Sequence, residues 1–273
     1  MKNSEIHKPK ETYLLYLDAF KKLFQVVIDD TLGRIGLIIV CFFILIAIFG
    51  PLIAPYDAYE KCYGPDGLVR LKPPSLKHFL GTTWYGRDIF SQLVLGTRIV
   101  LLVGFISAFM VVLVGVTLGL ISGYYGGKVD DIIMRITDLV YGIPFLPFAV
   151  VLMPLLGRSA WCIITAIVVI FWRTTARMIR AQTLSLRERQ FILAARVAGA
   201  SNFKIIYKHI LPQVLPISLL YGSFAVGWAV VAEASISFLG LGDPDSISWG
   251  QILHYAFISH GVKCPWWWYI GRY

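Results

Sequence analysis

The chain has 273 residues, of which 57% are hydrophobic and 15% are charged. Ordinary soluble domains are about 45–50% apolar and about 25% charged, so this chain has too little polar surface to solvate a folded particle. The composition excludes a simple water-soluble enzyme, a disordered regulator and a secreted disulfide scaffold. With 25 Lys and Arg against 16 Asp and Glu, it predicts a membrane protein whose cations are held mainly in cytoplasmic loops.

Five apolar stretches are long enough to cross a bilayer, which takes about 20 residues in a helix. These stretches cover 34–54, 99–122, 131–157, 159–179 and 214–236. They predict an all-α integral membrane protein with five transmembrane helices. The third stretch contains Pro144 and Pro147, which are expected to interrupt its backbone hydrogen bonds. Broken helices are tolerated where they line a cavity; an ordinary kink is the alternative.

The distribution of cations predicts that the N-terminus is cytoplasmic. With that orientation, sixteen of the 25 Lys and Arg fall in the cytoplasmic segments 1–34, 123–135 and 173–213, as the positive-inside rule requires. Residues 11–30 carry one apolar stripe at helical spacing and are too polar to span. Such a stripe is typical of a helix at the bilayer interface or of a helix packed on a partner.

The predicted organisation has four parts. A cytoplasmic segment with the amphipathic helix covers 1–33, and the first transmembrane helix covers 34–54. An extracytoplasmic segment over 55–98 mixes aromatic residues, Pro, Gly and both signs of charge, and we expect it to form an ordered lid or docking segment. The transmembrane core covers 99–273 and contains a patterned cytoplasmic loop over 182–212.

The first half of that loop is predicted as a short helix ended by a glycine. The helix has an apolar face of mostly small side chains, formed by Phe191, Ala194, Ala195 and Ala198. Gly199 suits a left-handed C-cap, which a Cβ atom disfavours. Small side chains allow a partner's groove to approach closely, so the helix is a candidate contact; a plain connecting loop is the alternative.

The second half of the loop is predicted as another helix, capped by Ser201. Its spacing places three apolar side chains on one face and two cations on another: Phe203, Tyr207 and Ile210, then Lys204 and Lys208. Pro212 is expected to end this helix and to begin the next span.

The loop resembles the coupling loop of ABC-importer permeases, whose form is Glu-Ala-Ala, three residues, Gly, nine residues, Ile, one residue, Leu-Pro. Five residues stand in that register: Ala194, Ala195, Gly199, Leu211 and Pro212. Leu193 stands where the family usually has Glu, and His209 stands where it has Ile. A His before Ile-Leu-Pro is usual in the peptide-importer branch.

Other stretches resemble the same branch and follow its order. They are FGPLIAPYD over 49–57, the segment 78–98, GYYGGKVDDIIMRITD over 123–138, EASISFLGLG over 233–242, and Ser248-Trp249-Gly250. Over about residues 30 to 268 the chain is similar to the C-type membrane subunit of dipeptide, oligopeptide and nickel ABC importers. Members of that family usually have six spans, whereas this sequence offers five, which would leave its C-terminus outside.

The resemblance implies a multi-pass permease in a prokaryotic inner or plasma membrane. Its implied partners are a second permease subunit, two ATP-binding subunits, an extracytoplasmic binding protein and the lipid bilayer, with no nucleic acid. The residues implied for ATPase coupling are Ala194, Ala195, Arg196, Gly199, Leu211 and Pro212. Pro144 and Glu233 are expected to border the translocation path, although a carboxylate satisfied by neighbouring helices is the alternative for Glu233.

Several motifs that would carry chemistry are incomplete, so neither catalysis nor a cofactor is expected in this chain. The glycine-rich run 122–129 lacks the P-loop pattern, because Ser122 and Val129 occupy positions that need Gly and Ser or Thr. The five histidines show no metal-ligand spacing. Arg135 and Asp138 are expected to pair with each other, and a disulfide between Cys62 and Cys264 is left open.

Three alternatives accompany this interpretation. In the first, the cargo is nickel or another chelated metal rather than a peptide. In the second, the chain is a truncated copy that transports nothing. In the third, it is a secondary transporter driven by ions. The last predicts paired inverted repeats and an intramembrane ion route, and neither is visible in the sequence.

Overall fold

The computed structural model describes Gln25, residues 28–65 and residues 67–259, and the described part is helical apart from one small hairpin. The predicted amphipathic helix over 11–30 falls almost entirely outside the described residues, and Cys264 also lies outside them. The helices are α1 Thr31–Ile53, α2 Ile89–Tyr125, α3 Gly127–Tyr141, α4 Phe145–Leu156, α5 Ala160–Arg187, α6 Gln190–Val197, α7 Asn202–Lys204, α8 Leu211–Phe238 and α9 Trp249–Ile258. A π-helical segment, Ile205–Ile210, joins α7 to α8.

The chain divides into two compact units, residues 1–49 and residues 50–273. In the first unit most of α1 is an apolar helix whose side chains are largely exposed. A bilayer is the environment that covers such a surface.

Four helical segments are long and apolar enough to span a membrane: Thr31–Ile53, Ile89–Tyr125, Ala160–Arg187 and Asn202–Phe238. They correspond to four of the five predicted spans. The remaining stretch forms α3 and α4, which are bent by 92° at their junction and count as a fifth span only if taken together.

The junction between α3 and α4 partly confirms the prediction for the third span. Pro144 takes an extended conformation (φ −67°, ψ 132°) immediately before α4, so the helix is broken there. Pro147 was expected to interrupt the helix as well, and this expectation is wrong. It lies in the first turn of α4, where a missing N–H removes no intrahelical bond.

The helix α2 begins ten residues earlier than the predicted boundary at residue 99. Asp88 caps it, since its carboxylate accepts a hydrogen bond from the backbone N–H of Ser91 at 2.8 Å. The same carboxylate accepts from the Ser91 hydroxyl, and its other oxygen lies 3.0 Å from Nδ1 of His78. Residues 89–98, the end of the predicted extracytoplasmic segment, are therefore helical and continuous with the second span.

Three glycines spaced four residues apart bring α2 directly against α5: Gly115, Gly119 and Gly123. A Cβ atom on Gly119 would lie 2.7 Å from the carbonyl oxygen of Ala176, and one on Gly123 would lie 2.9 Å from that of Arg180. Small residues at this spacing allow membrane helices to pack at backbone distance. This contact forms the centre of the second unit.

The segment between α1 and α2 is folded. It contains a two-stranded antiparallel hairpin, β1 Tyr63–Gly64 and β2 Gly67–Leu68. Gln92 donates to the carbonyl of Ala58 at 2.9 Å, and Ala58 packs with Ile247 and Ile252 near α9. Cys62 is a buried free thiol, and burial raises its pKa.

Candidate coupling loop and translocation cleft

The turn after α6 is held by Gly199, whose φ of +79° lies in the left-handed region. The N–H of Ala200 donates to the carbonyl of Ala195, and that of Gly199 donates to the carbonyl of Arg196, both at 3.0 Å. These two bonds define a Schellman motif, which satisfies the last carbonyls of the helix. The predicted C-cap at Gly199 is confirmed, and two other predicted coupling residues supply its acceptors.

Buried isoleucines fix the loop to the ends of the transmembrane helices. Ile192, Ile205 and Ile210 are fully buried and pack in one cluster with Leu120 of α2 and Ile179 of α5. The cluster is reinforced by a hydrogen bond of 2.9 Å from the Tyr124 hydroxyl to the side chain of Asn202. The loop is consequently an extension of the helix bundle, packed against α2, α5 and α8.

The opposite side of the loop is apolar and exposed. We call it the loop surface, and it is formed by Phe191, Leu193, Ala194, Val197, Ala198, Phe203 and Tyr207. Val197 is 90% exposed, and the rings of Phe203 and Tyr207 stack with centroids 5.8 Å apart. Arg196, Lys204 and Lys208 are exposed beside it. Isolated exposed apolar residues are ordinary, but a contiguous set with a polar rim marks an interaction site.

The second helix of the loop differs from the prediction. Ser201 does cap it, since its hydroxyl accepts from the N–H of Lys204 at 3.4 Å. Phe203 and Tyr207 are exposed, but Ile210 is fully buried, so the predicted shared face is wrong. The π-helical segment adds one residue per turn, which rotates Ile210 into the core. Pro212 does not end the helix either, because it lies in the first turn of α8 and the helix runs on from Asn202 to Phe238.

The six predicted coupling residues divide into two groups by exposure. Ala194, Arg196 and Gly199 are exposed, whereas Ala195, Leu211 and Pro212 are partly buried. Ala195 and Leu211 pack against the isoleucine cluster. Val197 was not among the predicted coupling residues. The helical period could have identified it as an exposed position between the Ala-Ala pair and Gly199.

The glycine-rich run 122–129 covers the end of α2 and the start of α3. Gly126 and Gly127 both have positive φ values, +65° and +51°, and they separate α2 from α3. The N–H of Gly126 donates to the carbonyl of Ser122 at 3.0 Å. Asp130 lies in the first turn of α3, where its negative charge interacts favourably with the positive end of the helix dipole.

Two ion pairs join α3 to α5, and neither is the predicted one. Asp138 was expected to pair with Arg135, but its carboxylate lies 2.5 Å from Arg177 of α5. The guanidinium of Arg177 also stacks on the ring of Tyr141, 4.3 Å from its centroid. These contacts between two helices cannot be read from the spacing of residues along α3 alone. Asp130 accepts a bidentate pair of bonds from Arg180, both 2.5 Å long.

A cleft of about 440 Å³ lies between α2, α4, α5 and α8. Half of its lining is aromatic, and it includes one cation and two threonines: Val111, Phe145, Phe171, Arg173, Thr174, Thr175, Tyr221, Phe224, Ala225 and Trp228. Pro144 is exposed and immediately precedes Phe145, so the break that it causes lies at the edge of the cleft. We call this space the translocation cleft.

Glu233 lies farther along α8 and does not line the cleft. Glu233 is 1% exposed, and one of its carboxylate oxygens accepts a hydrogen bond from the Ser237 hydroxyl at 2.6 Å. A buried carboxylate of this kind requires such a donor. Its predicted position beside the translocation path stays a prediction.

Two protein families match this chain. Residues 115–259 match the family described as the binding-protein-dependent transport system inner membrane component. Residues 20–74 match the N-terminal TM domain of oligopeptide transport permease C.

Three curated relatives cover most of the chain. The oligopeptide transport system permease protein of Bacillus subtilis is 38% identical over 89% of this chain and 77% of its own length. The dipeptide transport system permease protein of the same organism is 36% identical over 91% and 76%. The glutathione transport system permease protein of Pectobacterium atrosepticum is 37% identical over 78% and 70%.

Among solved structures, the fold is similar to a chain of the MetNI methionine ABC transporter, with a TM-score of 0.50 and 20% identity. The similarity covers 66% of this chain and 93% of that chain. Together with its several apolar helices, these matches show that the chain belongs to the family of binding-protein-dependent transport system inner membrane components and is a multi-pass membrane permease subunit of an ABC importer.

Proposed function

We propose that this permease moves di- or oligopeptides across the membrane and that the loop surface is where the ATP-binding subunits dock. The observation that carries the coupling role is the loop itself, a rigid exposed elbow tied by buried isoleucines to three membrane helices. The proposal of a peptide cargo is supported by the relatives, which are named for oligopeptide, dipeptide and glutathione transport.

In the proposed assembly the chain pairs with a second permease subunit to enclose the path. Two ATP-binding subunits supply the energy, and an extracytoplasmic binding protein delivers the cargo. The N-terminus is cytoplasmic, so that the loop over 182–212 and the ATP-binding subunits lie on the same side. ATP-driven closure of those subunits pushes the loop, and α2, α5 and α8 alternate between inward and outward openings.

Within the loop the predicted residues have different roles. Ala194, Arg196 and Gly199 contact the ATP-binding subunit, supported by their exposure. Ala195, Leu211 and Pro212 hold the loop on the bundle, supported by their partial burial. Pro144 borders the path through the break at the edge of the translocation cleft, and Glu233 borders it farther along α8.

The proposal is tested by uptake into proteoliposomes that contain the complete transporter. ATP-dependent accumulation of a labelled dipeptide is measured beside that of nickel, with a non-hydrolysable ATP analogue as the control. Peptide uptake that requires ATP hydrolysis is the expected result. Uptake of nickel without peptide would contradict the cargo and favour the metal alternative; assembly without uptake of either would contradict the transport role.

A further inference from the structure

Three arginines project from one part of α5, and they differ in how their charge is balanced. Arg177 pairs with Asp138, and Arg180 pairs with Asp130, each at 2.5 Å. Arg173 has no carboxylate within 4 Å in the part of the chain that the structure describes; it is the one of the three that lines the translocation cleft.

The contacts of Arg173 hold its guanidinium in place without neutralising it. Its Nη1 donates to the carbonyls of Val140 at 3.2 Å and Ile170 at 3.1 Å. The ring of Tyr141 lies against the same guanidinium, 4.7 Å from centroid to Cζ. Nε is buried and has no hydrogen-bond partner among the described residues. The group is therefore oriented, and much of its donor capacity is unused.

The position of Arg173 inside a membrane-spanning helix makes this charge costly. It is the fourteenth of 28 residues in α5, so it lies about 20 Å along a helix of about 42 Å. Cations within membrane-spanning helices are expensive unless they face a partner or a water-filled cavity, and they commonly mark a substrate route. A cation beside a cleft, with no counter-ion among the described residues, points to an anionic group on the cargo.

We propose that Arg173 binds the carboxylate of peptide cargo in the translocation cleft, which rests on the proposed function above. A guanidinium is suited to a carboxylate because its planar donors match the two oxygens. The cleft volume of about 440 Å³ falls within the range of about 300–1,000 Å³ typical of small-molecule sites. The rings of Phe145, Phe171 and Trp228 accept the apolar side chains of the peptide, and Thr174 and Thr175 offer hydroxyls to its backbone.

Binding is measured on the complete transporter in nanodiscs, without the binding protein, by saturation-transfer NMR. The probes are alanyl-phenylalanine and its C-terminal amide, which differ in the carboxylate. For wild type we expect the free acid to bind about tenfold or more tightly than the amide, as for a charge-assisted hydrogen bond. In Arg173→Gln the acid should bind as weakly as the amide, while binding of the amide stays unchanged. Arg173→Lys should recover part of the preference.

Arg177→Gln is the matched control, because Arg177 lies one turn away on α5 and already has a carboxylate partner. It should keep the preference for the free acid. If Arg173→Gln lost binding of both probes equally, Arg173 would only cap the end of α3, and the proposal would be overturned. An unchanged preference in that variant, or a wild-type transporter that binds neither probe, would also overturn it. Binding with the predicted preference but no peptide uptake would contradict the proposed cargo and leave this site standing.

Discussion

Replacing Gly199 by valine is expected to uncouple ATP hydrolysis from uptake while leaving the membrane helices folded. Gly199 has a φ of +79°, and no heavy atom lies within 4 Å of where its Cβ would be. The added Cβ therefore meets no neighbouring atom, and the main cost comes from the left-handed backbone. That cost is about 1–2 kcal/mol, towards the upper end for a β-branched residue.

The cost falls on the Schellman turn, which positions the loop surface. If the two arrangements are otherwise balanced, a penalty of this size lowers their ratio by about 5- to 30-fold and therefore the fraction of correctly formed turns by about 3- to 15-fold. We expect uptake per ATP hydrolysed to fall by a similar factor in proteoliposomes. Gly199→Asn should retain most of the coupling, because asparagine tolerates the left-handed region.

Gly157 provides the matched control. It also has a positive φ, +99°, and open space around its Cβ, but it lies between α4 and α5 and away from the loop. Gly157→Val should lower thermal stability in detergent without changing the number of peptides moved per ATP. Normal coupling in Gly199→Val, or equal uncoupling in Gly157→Val, would refute the role assigned to this turn.

Two further predictions concern the ion pairs and the segment before α2. Arg180→Gln leaves Asp130 without its bidentate partner and should destabilise the protein by about 1–3 kcal/mol, between the values for exposed and fully buried pairs, because the Arg180 side chain is 30% exposed. The double variant with Asp130→Asn should recover most of the melting temperature, and no recovery would contradict the pairing. Cys62 is buried with a raised pKa, so a membrane-impermeant maleimide should label it far more slowly than Tyr63→Cys at a 72% exposed position. Labelling of the latter in intact cells is expected, and labelling only after lysis would contradict the orientation.

Much of the fold could be predicted because apolar length is a strong signal in membrane proteins. Four spans and the turn at Gly199 follow from hydropathy and from the special conformation open to glycine. The start of α2 was missed because residues 89–98 include Ser, Gln, Thr and Arg among apolar positions, which weakens the hydropathy signal. Asp88 as a cap was the available clue.

The remaining errors depend on tertiary packing, which one sequence does not encode locally. The choice of Asp138 between Arg135 and Arg177 is decided by the position of α5 and by the ring of Tyr141. The burial of Ile210 depends on the π-helical segment, which shifts the helical phase. Arg173, which lines the translocation cleft, was counted only as a cytoplasmic cation, because its place inside a long helix becomes clear once the bounds of α5 are known.

If the loop over 182–212 receives the ATP-binding subunit, photo-crosslinking from the loop surface should capture that contact. A photoreactive side chain is placed at Val197, which is 90% exposed, in the assembled transporter, with the same group at Tyr63 as the control. We expect an adduct with the ATP-binding subunit from position 197 and none from position 63. An assembled transporter that gives no such adduct from position 197, or gives it equally from both positions, would contradict the claim.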